Sequence, residues 1–149
     1  MDSPALVTIE LLRPQARPPS FGTEGAAGAD LYACMDVPVC IAPGTQETIP
    51  TGIAMALPSA DYVGLLYNRS GLGMRHGVAL SNCVGVIDSD YRGEIHVSLR
   101  NHADVPYTVA PGDRVAQLIV THIPRVVFET AAQLPPTARG DGGFGSTGR

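Results

Sequence analysis

Turn-forming residues punctuate this chain so densely that no long helix fits between them: 17 Gly and 13 Pro fall along 149 residues. No window of helical length sustains the i, i+3, i+4, i+7 apolar spacing of an amphipathic helix. Short runs rich in Val, Ile and Thr recur instead between Pro/Gly turns. The expectation is an all-β domain. A chain of this length buries a real core as one domain, without disulfide or metal staples.

The strands can be followed in order. Val7, Ile9 and Leu11 alternate with Thr8 and Glu10 and give the first, followed by a Pro-rich connection over residues 13–25 with no period. Small residues then lead through AAGADLYA, residues 26–33, into a strand that carries Asp30. Turns at Pro43-Gly44-Thr45 and Pro50-Thr51-Gly52 flank further short strands, and residues 53–57 and 62–67 continue the series. Residues 114–123, RVAQLIVTHI, are ambiguous. Val115, Leu118 and Ile119 have helical spacing, but the β-branched residues and the preceding Pro111-Gly112-Asp113 turn favour a strand. From Pro124 onward the chain has little to pack with.

The stretch NCVGVIDSDYRGEI, residues 82–95, reads as the tip of a β-hairpin. Val78, Leu80, Val84 and Val86 share one face on the way in; Ile95, Val97 and Leu99 alternate with Glu94, His96 and Ser98 on the way out. Between the arms, Asp88-Ser89-Asp90-Tyr91-Arg92-Gly93 has turn chemistry, and a solvated polar loop accounts for its acids. An Ile87-Asp88 pair followed by an aromatic, with Gly85 opposite, also suits a place where something approaches the backbone closely.

A net charge of -4 argues against a nucleic-acid binder, and no apolar run approaches the length of a membrane span. No signal-peptide pattern stands at the N-terminus, so a cytoplasmic protein is expected. Cys34, Cys40 and Cys83 show no CxxC spacing and read as small buried hydrophobes in a reducing compartment. The histidines at 76, 96, 102 and 122 have no metal-ligand spacing and read as surface or edge residues. All ten basic residues are Arg, which suits bidentate phosphate contacts but equally reflects a coding bias.

Other features are open to a chemical reading. Residues 68–77, NRSGLGMRHG, break the strand pattern; a short turn of helix fits, weakened by Gly71 and Gly73. Arg69, the Ser70 hydroxyl and free N–H groups near Gly71 would make an anion site, with an ordinary exposed loop as the alternative. Asp30 would close a turn or face a metal's water shell. Gln117 sits in the middle of an apolar strand and needs a partner, either a backbone group or a bound water. The tail ARGDGGFGSTGR, residues 138–149, has the composition of a flexible Gly/Ser terminus. It lacks the GK[ST] ending and following helix of a P-loop, yet Arg139, Phe144 and Ser146-Thr147 would serve as a lid, with donors for phosphate and a ring for a base.

Five segments, AAGADLYA, NRSGLG, NCVGVIDSDYRGEI, PGDRVAQLIV and RGDGGFGSTG, stand in the order and approximate spacing of the five motifs of the trimeric dUTP diphosphatases (dUTPases). The chain resembles that family from residue 26 to its last residue. The resemblance implies a jelly-roll-like β-barrel over residues 1–137, with a flexible arm over 138–149 that closes on the active site. It implies a homotrimer whose active sites are each built from three subunits. The implied reaction is Mg²⁺-dependent hydrolysis of dUTP to dUMP and diphosphate, which keeps uracil out of DNA and supplies dUMP for dTMP synthesis.

Carried over by motif, Asp88 resembles the general base that orients a water for attack on the α-phosphorus, a task open to a carboxylate ionised at neutral pH. Asp30 and Gln117 match positions that hold waters bound to Mg²⁺ while the metal sits on the triphosphate, so no direct protein ligand is expected. Arg69, Ser70 and Gly71 match the phosphate-binding loop, with Gln117 beside it, and Arg139, Ser146 and Thr147 match contacts to the γ-phosphate. Asn82, Val86 and Ile87 match the uracil-reading hairpin. Tyr91 matches the aromatic under the deoxyribose that leaves no space for a 2'-OH, and Phe144 the ring stacked on uracil. His96 occupies an outgoing-strand position that approaches the pyrimidine. Cytosine would be refused by its hydrogen-bond pattern and thymine by its methyl group.

The chain departs from the family pattern at two positions: Asn68 replaces the usual Pro, which is expected to loosen the phosphate loop, and Arg75 stands where Lys is common. Two other readings use the same fold. One is a relative of dCTP deaminases, which employ a glutamate and a differently built pyrimidine pocket. The other is a catalytically silent nucleotide binder, against which the retention of Asp88, Arg69, Gln117 and the whole tail argues.

Overall fold

The computed structural model describes residues 4–143. Strands β1 (Thr8–Leu11), β2 (Ser20–Phe21), β3 (Ala29–Tyr32), β4 (Val39–Ile41), β5 (Gln46–Pro50), β6 (Ile53–Ala56) and β7 (Tyr62–Tyr67) precede one short helix, α1 (Ser70–His76). Strands β8 (Val78–Leu80), β9 (Gly85–Ile87), β10 (His96–Asn101), β11 (Tyr107–Val109) and β12 (Arg114–His122) follow it. The largest sheet has the order β2-β3-β12-β7-β9, a second has β5-β10-β8, and β1-β6 and β11-β4 pair as two-stranded ribbons. Every pairing is antiparallel, and the fold is the all-β, jelly-roll-like barrel expected from the sequence.

A single apolar cluster holds the sheets together. Leu31, Val115 and Leu118 from the five-stranded sheet belong to the same cluster as Ile49, Val97 and Leu99 from the β5-β10-β8 sheet. Each such side chain stabilises the fold by about 1.5–3 kcal/mol through loss of contact with water. Strand β10 shows the period directly: Val97 and Leu99 are buried, whereas His96 and Arg100 are exposed. At its end Asn101 is fully buried, and its amide is satisfied by Ile41 O (2.9 Å), Val105 O (2.8 Å) and the Ala103 N–H (2.9 Å).

Strand β12 resolves the ambiguous stretch in favour of β, with a register shift between Arg114 and Ala116. Without it, Arg114 would share the inward face of Ala116 and Leu118. The extra residue turns Arg114 onto the face of Gln117 and leaves both Val115 and Ala116 buried. The helix is real but short, ended by Gly77 in the left-handed region (φ 65°), whose N–H caps the Gly73 carbonyl. Its buried residue is Leu72.

Several expectations fail locally. Residues 78–99 do not form one hairpin: β8 pairs with β10, but β9 leaves that sheet and pairs with β7. Val84 and Val86 are therefore exposed, while Val78 and Leu80 are buried. The missing side chain of Gly85 opens no space for a ligand on that face. A Cβ there would stand 3.0 Å from Leu66 Cβ, so the close approach is made by the protein's own core. Asp30 lies within β3 rather than in a turn. Cys34 is buried, but Cys40 and Cys83 are exposed; all three are free thiols. No helix among the described residues is long and apolar enough to cross a membrane.

Candidate active site

Two groups of polar side chains gather at opposite ends of β7. At the far end, Tyr67 leads through Asn68 to Arg69, which stands in extended conformation (φ -85°, ψ 128°) as the N-cap of α1. The N–H groups of Leu72 and Gly73 both donate to Arg69 O at 3.1 Å, so those of Ser70 and Gly71 precede the helical ladder. Asp30 locks the arginine: Arg69 Nε donates to Oδ1 at 2.8 Å, and Arg114 Nη1 donates to Oδ2 at 3.3 Å. The Asp30 side chain is only 11% exposed, so its charge depends on these two cations for the solvation it has lost.

Gln117 lies opposite Asp30 in the β3–β12 register, and its Nε2 donates to Asn68 O at 3.1 Å. A Cβ on Gly28 would stand 2.8 Å from Gln117 Oε1, so glycine there lets the Gln117 side chain pack against the backbone of that loop. An open cleft of about 250 Å³ adjoins, lined among others by Arg69, Gly71, Arg75, Tyr107 and Arg114. Burial pushes the Tyr107 hydroxyl above its ordinary range; Asp113 adds to the rise and Arg69 opposes it. Tyr107 is thus a neutral group at physiological pH.

At the near end of β7, Ile87 pairs with Gly64, which sets Asp88 beside Val63. The arms that would have zipped into a hairpin pair outward instead, β9 with β7 and β10 with β5 and β8. Between them lies a slot of about 230 Å³ lined by Val86, Ile87, Asp88, Tyr91, Glu94 and His96, with Ile95 behind. Strand β9 is the edge of its sheet, and on the β8 side the pairing of β10 goes no further than Ser98, whose oxygen accepts the Ser81 N–H at 2.9 Å. Both walls of the slot therefore keep strand edges with unpaired backbone groups.

The turn that closes the slot is built around Tyr91. Its N–H donates to Asp88 O (3.2 Å) and its hydroxyl to Glu94 O (3.1 Å). The ring lies over Gly93, where any Cβ would collide with it. Glu94 ties this turn to the barrel: Oε1 accepts the Gly52 N–H and Oε2 accepts Arg13 Nη2, each at 2.8 Å. His96 Nδ1 is 3.1 Å from Glu94 O, which orients the ring at the slot.

The structure thus brings Asp30, Arg69, Ser70, Gly71 and Gln117 together, and separately Val86, Ile87, Asp88, Tyr91 and His96. Asn82 is exposed in the turn before β9 and does not line the slot. Arg139 is exposed, and its Nε donates to Gly142 O (2.7 Å) within the arm itself. Phe144, Ser146 and Thr147 lie outside the described residues. The six steps from Val63 to Arg69 run extended, about 20 Å at 3.3 Å per residue, so the two groups do not meet within one chain.

Sequence reasoning missed Arg114, Glu94 and Gly28. Strand alternation puts Arg114 on the core face, and nothing local announces the bulge that moves it. Glu94 alternates with buried neighbours and so reads as solvent-facing. Gly28 stands in a run of small residues, which was the available signal for a place that a larger side chain would fill.

The sequence profile of the dUTPase family matches residues 15–148. The chain is 46% identical over 142 residues to the deoxyuridine 5'-triphosphate nucleotidohydrolase of Syntrophotalea carbinolica, covering 95% of this chain and 96% of that one. It is 48% identical over 130 residues to the protein of the same name from Neisseria meningitidis serogroup B, 87% of each chain. Among solved structures, the dUTPase of Staphylococcus bacteriophage 80alpha with dUPNHPP superposes with a TM-score of 0.86 at 25% identity, covering 97% of this chain and 99% of that one.

Proposed function

The chain belongs to the dUTPase family, and on that premise we propose that it hydrolyses dUTP to dUMP and diphosphate by attack of water on the α-phosphorus. Asp88, at the rim of the slot, accepts a hydrogen bond from the attacking water. It takes the proton as the new P–O bond forms and the bond to the bridging oxygen breaks, and diphosphate leaves. Arg69, Ser70, Gly71 and Gln117 receive the phosphates and spread the charge that develops on them.

The observation that carries this reading is the slot itself. A pyrimidine entering between β9 and β10 takes the place of a pairing strand, and uracil offers its edge to backbone groups left free on both walls. Cytosine would leave some of those groups buried and unpaired, a costly error. Val86, Ile87 and His96 would crowd a thymine methyl group, and Tyr91 would fill the space of a 2'-OH. The arm from residue 138, with Arg139, Phe144, Ser146 and Thr147, closes over the bound nucleotide.

Asp30 and Gln117 fit the task of holding waters of a Mg²⁺ ion. Each Asp30 oxygen accepts from one guanidinium and keeps a second lone pair, and Gln117, which donates to Asn68 O through Nε2, keeps its Oε1 as an acceptor. When bound, the ion supplies positive charge to the triphosphate oxygens, with phosphates and waters as its ligands.

Since Asp88 and Arg69 of one chain stand at opposite ends of β7, about 20 Å apart along the backbone, the reading includes a homotrimer with shared active sites. The exposed Val126, Val127 and Phe128 support it, as an apolar segment with no cover of its own. We place the enzyme in the cytoplasm, acting on free nucleotide, with no nucleic-acid or membrane partner.

The test is diphosphate release from dUTP beside dCTP, dTTP and UTP, each with and without Mg²⁺, and light scattering on the same sample. Turnover of dUTP alone, dependent on Mg²⁺, at a mass near three times 15.6 kDa is expected. Binding without turnover, ammonia release from dCTP, or full activity of a monomer would each overturn the corresponding part.

A further inference from the structure

We propose that Asn68 is a positioning residue that ties the phosphate loop to the loop entering the nucleoside slot, an inference that rests on the function just proposed. Asn68 immediately precedes Arg69, where the family motif usually has Pro. Its side chain reaches back across the helix: Oδ1 accepts the N–H of Leu80, twelve residues on, at 2.5 Å. Its backbone oxygen accepts Gln117 Nε2 at 3.1 Å. One residue therefore holds Arg69 through the chain, Gln117 through its carbonyl and Leu80 through its amide.

The bond to Leu80 closes a loop that contains the whole of α1, with the phosphate-binding residues at one neck and β8 at the other. Within that loop the helix is held at its C-terminal end, where the His76 ring packs on Tyr107 (5.0 Å) and Gly77 O accepts the His102 N–H (2.8 Å), whereas at its N-terminal neck Leu72 is its buried residue and Met74 is 87% exposed. Leu80 is a firm post. It is buried and paired with Leu99, and the next residue, Ser81, is bonded to Ser98 through both backbone (2.9 Å) and hydroxyl (2.9 Å). Asn82 follows, and then Cys83 with a positive φ of 62°, whose N–H returns to Leu80 O at 3.3 Å. The turn that carries Asn82 thus hangs from Leu80, and Asn68 is bonded to that same post. An Asn here does not simply remove the ring that stiffens the loop in relatives. It replaces a restraint on one residue with a link between two loops.

A residue that only stabilised the fold would lower the melting temperature and nothing else, so the test reads binding on each side of the link. Inhibition of dUTP turnover is measured at 25 °C with diphosphate alone and with uncharged 2'-deoxyuridine alone, for wild type, Asn68→Ala and Asn68→Asp. Asn68→Ala, which leaves the Leu80 N–H without an acceptor, is expected to weaken both inhibitors by about five- to tenfold. Asn68→Asp keeps an acceptor oxygen and is expected to restore the deoxyuridine constant to within about twofold of wild type. A change in the diphosphate constant alone would confine Asn68 to its own loop and overturn the link, as would two unchanged constants with a lowered melting temperature. If wild type does not hydrolyse dUTP, the underlying function fails instead.

Discussion

Replacing Asp30 with Asn keeps the shape of the side chain and removes its charge, and the structure sets the size of the effect. The 2.8 Å bond from Arg69 Nε is a charge-assisted contact to a nearly buried carboxylate, worth about 1.5–3 kcal/mol. The 3.3 Å contact from Arg114 is longer, and that side chain is 51% exposed, so it adds about 0.5 kcal/mol. Asn can still accept one of these bonds, but its NH₂ group then faces the other guanidinium, donor against donor. A net loss of about 2–3 kcal/mol follows, or about 4–12 °C in melting temperature for a chain of this size. Arg69 loses the charge that holds it in place, and if it receives the phosphates as proposed, kcat/KM for dUTP should fall about 30-fold, the equivalent of 2 kcal/mol. Thermal melts and initial rates of diphosphate release, run across a Mg²⁺ series, measure both. A melting temperature that falls while kcat/KM stays within about threefold of wild type would refute the claim that Asp30 aims Arg69.

Asp88→Asn should bind dUTP with near wild-type affinity by calorimetry yet lose turnover by about a hundredfold or more; unchanged turnover would remove Asp88 from the role of base. Tyr107 gives a pH dependence whose sign is fixed by its raised folded-state value. Burial keeps its proton on in the folded chain after the unfolded chain has released it, so stability is complete below about pH 10 and declines as pH rises beyond it. Urea unfolding at pH 9 and pH 11 should show a smaller alkaline loss for Tyr107→Phe than for wild type; an equal loss would show that Tyr107 does not contribute it.

Most of the barrel was legible because its signals are local. Val97 and Leu99 alternate with polar neighbours and are buried, and the Gly- and Pro-rich turns cut the strands where the sequence marks them. Legibility ended where one residue's position depends on a distant one. The bulge before Ala116 moves Arg114 to Asp30's face, and only the register against β3 shows it. Alternation from Val78 to Val86 suggested one continuous arm, yet the chain changes sheets between Leu80 and Gly85, because Gly85 packs on Leu66 of β7. The motifs singled out Asp30, Arg69, Asp88 and Gln117 but said nothing of Glu94, whose partners Arg13 and Gly52 lie 81 and 42 residues away.

The length of β7 also has a genetic consequence. A chain damaged at Asp88 still carries an intact Arg69 at the other end of the strand, and a chain damaged at Arg69 still carries an intact Asp88. In the shared-site trimer proposed above, assembling the two at random leaves about a quarter of the sites with both residues drawn from undamaged ends. Two alleles, each null as a homozygote, would then complement one another, and a cell bearing both would recover dUTP hydrolysis that neither protein performs alone.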